Sequence, residues 1–147
     1  MKSNLDIKFS IITPCYNSVD TIRATIESVL SQNYNNIEYI IIDGGSSDGT
    51  LEVIHEYIAS LSIISEQDDG IADAMNKGIE KSSGQLICHL HAGDYFTQDN
   101  VLLKVMKSYN NFHWQWGVGN SIVINQNGDE LFKFKPGINK NVLKKKN

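Results

Sequence analysis

The sequence predicts an α/β fold, a three-layer α/β/α sandwich around a mainly parallel sheet. Three observations lead there. Strand-like apolar runs alternate with helical periodicities in the order βαβαβαβ as far as Asp94, the pattern of right-handed crossovers between parallel strands. The run Tyr39-Ile40-Ile41-Ile42 shows no polar alternation, as expected of a strand covered on both faces. Each run ends in a polar cluster rather than a hairpin turn, and in an open parallel sheet the carboxyl ends of the strands are where ligands sit.

Taken in order, residues 7–13 read as the first strand, broken by Pro14-Cys15-Tyr16-Asn17 because proline cannot serve a central ladder. Val19, Ile22, Ile26, Val29 and Leu30 then make one apolar helical stripe, with Ser18 or Asp20 as its cap. After a polar turn at 32–36, the second strand runs over 37–42 and stops at Asp43. Gly44 and Gly45 permit backbone conformations that a Cβ resists. Ser46, Ser47, Asp48 and Thr50 are helix-starting residues, and Leu51, Ile54 and Ile58 carry a helix to about residue 60. Residues 61–65 form a third strand. The acidic turn 66–70 leads to a helix with Ile71, Met75, Gly78 and Ile79 on one face, closed by Ser82-Ser83-Gly84. Residues 86–90 are the fourth strand, running into His91-Ala92-Gly93-Asp94. Val101, Leu102, Val105, Met106 and Tyr109 mark another helix, and 117–125 and 130–135 read as strands around the hairpin signal Asn127-Gly128. The organisation expected is one domain over 1–135 and a basic tail over 136–147.

A chain of 147 residues suits a single core. No apolar run approaches a membrane span, and the opening Met1-Lys2-Ser3-Asn4-Leu5-Asp6 lacks the apolar block of a signal peptide, so the cytoplasm is the expected location. Cys15 and Cys88 fit a reducing compartment and form no Cys-x-x-Cys pair. The net charge of −4 is a split: residues 1–130 hold all 17 acids against 7 basic residues, and residues 131–147 hold six lysines and no acid. The acidic body argues against nucleic acid and accommodates a cation-assisted site. The lysine-rich end suits either plain solvation or contact with the inner face of a membrane, without an apolar anchor.

The clusters Thr13-Pro14-Cys15-Tyr16-Asn17, Asp43-Gly44-Gly45-Ser46, Asp68-Asp69-Gly70 and His91-Ala92-Gly93-Asp94 should share one sheet edge. An aromatic ring, carboxylates and free backbone N–H groups suit a nucleotide. The ring can stack on a base, and a carboxylate can accept from a base N–H or a ribose hydroxyl. A divalent cation, Mn2+ or Mg2+, would be needed to bring a diphosphate near so many acids. The Gly-x-x-x-x-Gly-Lys-[Ser/Thr] loop is missing, and Gly44-Gly45-Ser46-Ser47-Asp48-Gly49 does not match Gly-x-Gly-x-x-Gly.

Three stretches carry a resemblance: Ser10-Ile11-Ile12-Thr13-Pro14-Cys15-Tyr16-Asn17, Ile40-Ile41-Ile42-Asp43-Gly44-Gly45-Ser46-Ser47-Asp48-Gly49-Thr50, and Asp68-Asp69-Gly70-Ile71-Ala72-Asp73-Ala74-Met75-Asn76-Lys77-Gly78. In order and spacing they resemble family 2 glycosyltransferases of the bacterial branch that builds cell-surface polysaccharides, over about residues 6–135. The resemblance implies a GT-A fold, a nucleotide-diphosphate-sugar donor, a divalent metal and inversion at the anomeric carbon, with transfer to a glycan or lipid-linked acceptor. By motif, it places Thr13, Pro14 and Tyr16 beside the base, with Asn17 in the same loop, and Asp43 on the base or ribose with Gly44 next to it. The segment with Asp68, Gly70 and Asn76 would run along the donor.

Asp94 stands in the family's metal-binding Asp-x-Asp region, where His91 and Gly93 replace carboxylates that are common there. His91 is the second candidate ligand, and His89 a third that strand alternation could turn into the sheet. The general base is not identified, since nothing after Glu130 is acidic. Family members usually continue further, with the acceptor-side elements and that carboxylate. The expectation is therefore a chain truncated at its C-terminus, by a frameshift in an A-rich stretch or by deliberate shortening. Two functional classes follow: a transferase, or a donor-binding remnant or module without transfer activity of its own. Sugar, base, acceptor and oligomeric state do not follow from these residues.

Overall fold

The structure, a computed structural model, describes residues 7–135. The tail expected at 136–147 lies outside the described residues. The sequence reads as one domain to residue 135, whereas the chain divides into two compact units that meet in sequence at Phe112 and His113.

The first unit holds β1 (Phe9–Cys15), α1 (Ile22–Leu30), β2 (Ile37–Asp43), α2 (Thr50–His55), β3 (Ser62–Ser65), α3 (Ile71–Lys81), β4 (Leu86–His89) and α4 (Val101–Phe112). All four strands are parallel, in the order β3-β2-β1-β4. The unalternating strands are covered on both faces, as their composition demands. On one face Phe9, Ile11, Tyr39 and Ile41 pack with Ile22, Ile26 and Val29 of α1, Ile54 of α2, and Leu102 and Met106 of α4. On the other, Ile12, Ile40 and Ile42 pack with Ala74 of α3. This is the three-layer α/β arrangement expected. The chain runs outward from β1 to β3 over one face, then α3 carries it back across the other face to β4. The strand order therefore reverses beside β1, which makes the carboxyl edge between β1 and β4 a topological switch point.

Several local readings change. β1 continues through Pro14 and Cys15, which pair with Ile42 and Asp43. Pro14 is tolerated because its nitrogen faces β4, which has already ended at His89, and its carbonyl still accepts the Ala92 N–H at 3.3 Å. Neither Ser18 nor Asp20 caps α1. Thr21 holds the N-cap position without a side-chain capping bond, and the Ser18 carbonyl takes the N–H groups of Thr21 and Ile22. Leu30 falls off the buried stripe and is 41% exposed. α2 is shorter than expected, because i→i−3 bonds from Glu56, Tyr57 and Ile58 tighten the chain after His55 into 3₁₀-like turns.

The buried face of α3 is Ala74 and Gly78, while Ile71 and Ile79 are exposed. Small residues let this helix settle onto the sheet: a Cβ on Gly78 would lie 2.3 Å from Cγ2 of Ile12. Among the described residues no helix is long and apolar enough to cross a membrane.

The second unit contains an antiparallel hairpin of β5 (Ser121–Ile124) and β6 (Glu130–Phe134). Its first strand begins later than the expected residue 117. The turn is held by the Asn125 side chain, which accepts the N–H groups of Asn127 and Asp129 at 2.9 Å each. Gly128 supplies the left-handed residue, with φ of 86°.

Candidate functional site

A cleft of about 580 Å³ opens at the carboxyl edge of the sheet. Pro14, Cys15, Tyr16 and Ser18 line it after β1, Gly44 after β2, and Gln67, Asp68 and Gly70 after β3. Ile71 and Ala74 of α3 and His91 and Ala92 after β4 complete it. All four strand ends contribute, as parallel topology requires.

The loops that shape the cleft are braced by polar side chains. Asp43 is fully buried. Its carboxylate accepts the N–H groups of Gly45 at 3.1 Å and Ser46 at 3.0 Å, the Ser65 hydroxyl at 2.7 Å, and the Ser46 hydroxyl in a short bond. Burial alone would raise its pKa, but the bonds from Ser46, Ser65 and Gly45 outweigh it and hold the carboxyl below its ordinary value, so it stays ionised. The Cys15 thiol is pushed well above its usual range by burial and then by the Asp43 charge. It remains a protonated, weak donor to Asp43 Oδ1 at 3.7 Å.

Asn17, with φ of 46°, clips the β1 loop to the β2 loop: its N–H donates to the Ser46 hydroxyl at 2.8 Å and its Oδ1 accepts the Ser47 N–H at 3.0 Å. Asp48 accepts the N–H groups of Val19 at 3.1 Å and Thr50 at 3.0 Å, so it too braces the loops.

Asp68 differs from Asp43. Its Oδ1 accepts the Gly70 N–H at 2.9 Å in a local turn. Its Oδ2 has no hydrogen-bond partner among the described residues and stands against Gly44, where an added Cβ would come within 2.8 Å of it. Gly44 therefore keeps space open beside this oxygen. Tyr16 is 63% exposed, its ring at the opening of the cleft.

Of the residues singled out from sequence, the structure brings Pro14, Tyr16, Gly44, Asp68, Gly70 and His91 to the cleft. Thr13 is buried instead, with Oγ1 3.1 Å from the Tyr39 hydroxyl. Asn17 and Asp43 brace the loops from behind. Asn76 lies on the exposed side of α3, because Ala74 and Gly78 take the packed side. Asp94 is exposed one turn beyond His91, with its N–H bonded to the His91 carbonyl at 2.9 Å. Cys15, Ser18, Gln67, Ile71, Ala74 and Ala92 also line the cleft, and sequence reading did not single them out as site residues. Ile71 was read from sequence only as part of the packed face of α3, whereas it is exposed at the cleft; Ala74, four residues before Gly78, could have been found from the helical period.

Among the described residues no group of three or more His, Cys, Asp or Glu side chains could hold a metal ion. His91 and Asp94 do not make a metal centre by themselves. His89 adds none: its Nδ1 is buried without a hydrogen-bond partner, and burial followed by the neighbouring His91 lowers its pKa.

The chain is similar to known proteins. The family model described as glycosyl transferase family 2 matches residues 10–143. The UDP-Glc:alpha-D-GlcNAc-diphosphoundecaprenol beta-1,3-glucosyltransferase WfaP of Escherichia coli is 37% identical over 114 residues, covering 71% of this chain and 45% of that protein. The chain spans less than half the length of the curated relatives it matches.

Among solved structures, the mannosyltransferase PcManGT from Pyrobaculum calidifontis, in complex with GDP-Man and Mn2+, superposes with a TM-score of 0.68 at 21% identity, over 81% of this chain and 36% of that one. S. aureus TarS 1–349 in complex with UDP-GlcNAc does so with 0.66 at 23%, over 73% and 32%. At these identities the structures establish a shared GT-A fold. With a family model matching residues 10–143, most of the sequence, the chain belongs to glycosyl transferase family 2.

Proposed function

We propose that the cleft binds a nucleoside diphosphate sugar, and that the chain serves sugar transfer to a glycan or lipid-linked acceptor in surface-polysaccharide synthesis. One observation carries the donor reading. An exposed aromatic ring and an unpartnered carboxylate oxygen face one cleft at the switch point of a parallel sheet. The base lies against Tyr16 and Pro14 on one side and Ile71 and Ala74 on the other, and its N–H donates to Asp68 Oδ2. The diphosphate and sugar extend toward His91 and Ala92. Thr13, Asn17 and Asp43 act by holding the walls, and Asn76 stays outside the contact.

In transfer with inversion, the acceptor hydroxyl attacks the anomeric carbon opposite the diphosphate. The bond to the diphosphate oxygen breaks, that oxygen leaves with the electron pair, and a base takes the hydroxyl proton. This chain's contribution is orientation, which is worth many kcal/mol when reacting atoms are held close. WfaP is named for a UDP-glucose donor and a diphosphoundecaprenol acceptor. A lipid-linked acceptor of that kind would place the reaction at the inner face of a membrane.

A second reading, a donor-binding module without transfer chemistry of its own, is favoured by a specific feature. Asp68, engaged with the base, is the only carboxylate lining the cleft among the described residues.

Calorimetry with UDP and GDP tests the donor site. Asp68→Ala is expected to weaken binding roughly ten- to a hundredfold, the loss of one charge-assisted hydrogen bond of about 1.5–3 kcal/mol. Unchanged affinity would remove Asp68 from the site. Donor consumption with a panel of lipid-linked acceptors separates transferase from module.

A further inference from the structure

Helix α1 carries two buried polar residues, Thr25 and Ser28, and a third, Gln32, lies buried just past its C-cap Ser31. Thr25 and Ser28 lie at i and i+3 on one face of the helix, and Gln32 follows in the turn that ends it. Each meets the main chain of the segment between β4 and α4. The Gly93 N–H donates to Thr25 Oγ1 at 3.0 Å, and the Phe96 N–H to Ser28 Oγ at 3.1 Å. Gln32 accepts the Leu102 N–H at 3.1 Å and donates to the Gln98 carbonyl at 2.7 Å. The segment from 93 to 100 has neither helix nor strand of its own. Three of its backbone groups, the Gly93 and Phe96 N–H and the Gln98 carbonyl, are satisfied by these side chains.

The same segment begins at His91 and Ala92, which line the cleft, and continues through Asp94. The other end of α1 is tied to the opposite wall. The Ser18 carbonyl accepts the N–H groups of Thr21 and Ile22, and Ser18 follows Tyr16 in the β1 loop that also lines the cleft. One rigid helix thus spans the loop with Tyr16 and the loop with His91.

We infer that Thr25, Ser28 and Gln32 are positioning residues, holding the His91–Asp94 turn at a set distance from Tyr16 and so shaping the diphosphate-sugar end of the cleft. This rests on the donor reading above. A purely structural role would loosen the protein for every ligand alike. A positioning role separates two ligands: a nucleoside monophosphate needs only the Tyr16 end, whereas its diphosphate sugar needs both.

The test uses Thr25→Val with Ser28→Ala in the full chain, with Thr25→Ser as the conservative variant. Calorimetry is run with UMP and UDP-GlcNAc, and with GMP and GDP-mannose. In the double variant, affinity for the preferred diphosphate sugar is expected to fall roughly tenfold, with the monophosphate within about twofold of wild type. Amide exchange should quicken at Gly93 and Phe96 and stay slow within α1. Thr25→Ser, which keeps the hydroxyl, should match wild type in both affinities. Equal weakening of monophosphate and diphosphate sugar would overturn the inference while leaving the donor site standing. Faster exchange with both affinities unchanged would overturn it too. Wild-type protein that binds none of the four probes would instead overturn the donor reading, and this inference with it.

Discussion

Replacing Asp43 by asparagine keeps the shape of the side chain and changes what it can accept. In the fold the carboxylate takes two backbone N–H groups and two serine hydroxyls, fully shielded from water. An asparagine has one acceptor oxygen. Its least costly orientation puts that oxygen where Oδ2 is, facing Gly45, Ser46 N–H and Ser65, and its NH₂ where Oδ1 is. The Ser46 hydroxyl must then turn round and accept, and the remaining bonds lose their charge assistance. Losing one charge-assisted bond of this kind costs about 1.5–3 kcal/mol, so a loss of about 2–3 kcal/mol at pH 7 is expected.

The pH dependence follows from the sign of the shift. Asp43 is held below its ordinary value of 3.8 in the fold. Its contribution is therefore complete above the unfolded value and lost as pH falls through the folded one, so the gap between wild type and Asp43→Asn narrows only below about pH 4. Urea denaturation followed by circular dichroism at pH 7 and in acid measures the gap, and calorimetry with UDP and GDP on the folded variant accompanies it. A variant as stable as wild type at pH 7 that has nonetheless lost nucleotide affinity would refute the reasoning, because Asp43 would then face the ligand rather than the turn.

Glu38 accepts bonds from Ser10, Ser83 and Lys8. Burial pushes its pKa up, yet those bonds win and bring it from 4.5 to about 2. Glu38→Gln should cost about 1–2 kcal/mol near neutrality, and titration in acid should show the difference fading between the unfolded and folded pKa values. Gly44→Ala sets a methyl 2.8 Å from Asp68 Oδ2. Nucleotide affinity is expected to fall roughly tenfold with stability within about 1 kcal/mol of wild type, and an unchanged affinity would free the site from the Gly44–Asp68 contact. Gly78→Ala forces a methyl against Ile12, which is fully buried. Overpacking of about 1–3 kcal/mol should appear in denaturation.

Much of the first unit was legible because burial leaves a periodic trace. The Tyr39–Ile42 run could be read as covered on both faces without knowing what covers it, and the βαβ order limits the topologies to a few. Elements whose ends depend on tertiary neighbours were less legible. Pro14 looked like a strand breaker because the chain alone does not reveal that β4 stops at His89 on the side its nitrogen faces. The face of α3 was read in part: Gly78 was placed on it correctly, but apolarity also pointed to Ile71 and Ile79, whereas the helix packs through the small residues Ala74 and Gly78, the latter close against Ile12.

By itself, the sequence determined the α/β alternation, the gathering of polar clusters at one sheet edge, and, through three motifs, the family. Those properties are carried by residue type and spacing. Only the tertiary structure decided what each polar residue does at that edge. Asp43 and Asp68 look alike in sequence: each is an acid followed within two residues by glycine, after a strand. Asp43 ends a central strand, where water is excluded and nearby N–H and O–H groups have no other acceptor, so it is drawn inward. Asp68 follows the edge strand β3 and keeps one oxygen in the cleft. The partners of Thr25, Ser28 and Gln32 were hidden for a related reason: a polar side chain carries no mark of which distant backbone it will meet, and that partner exists only once the chain has folded.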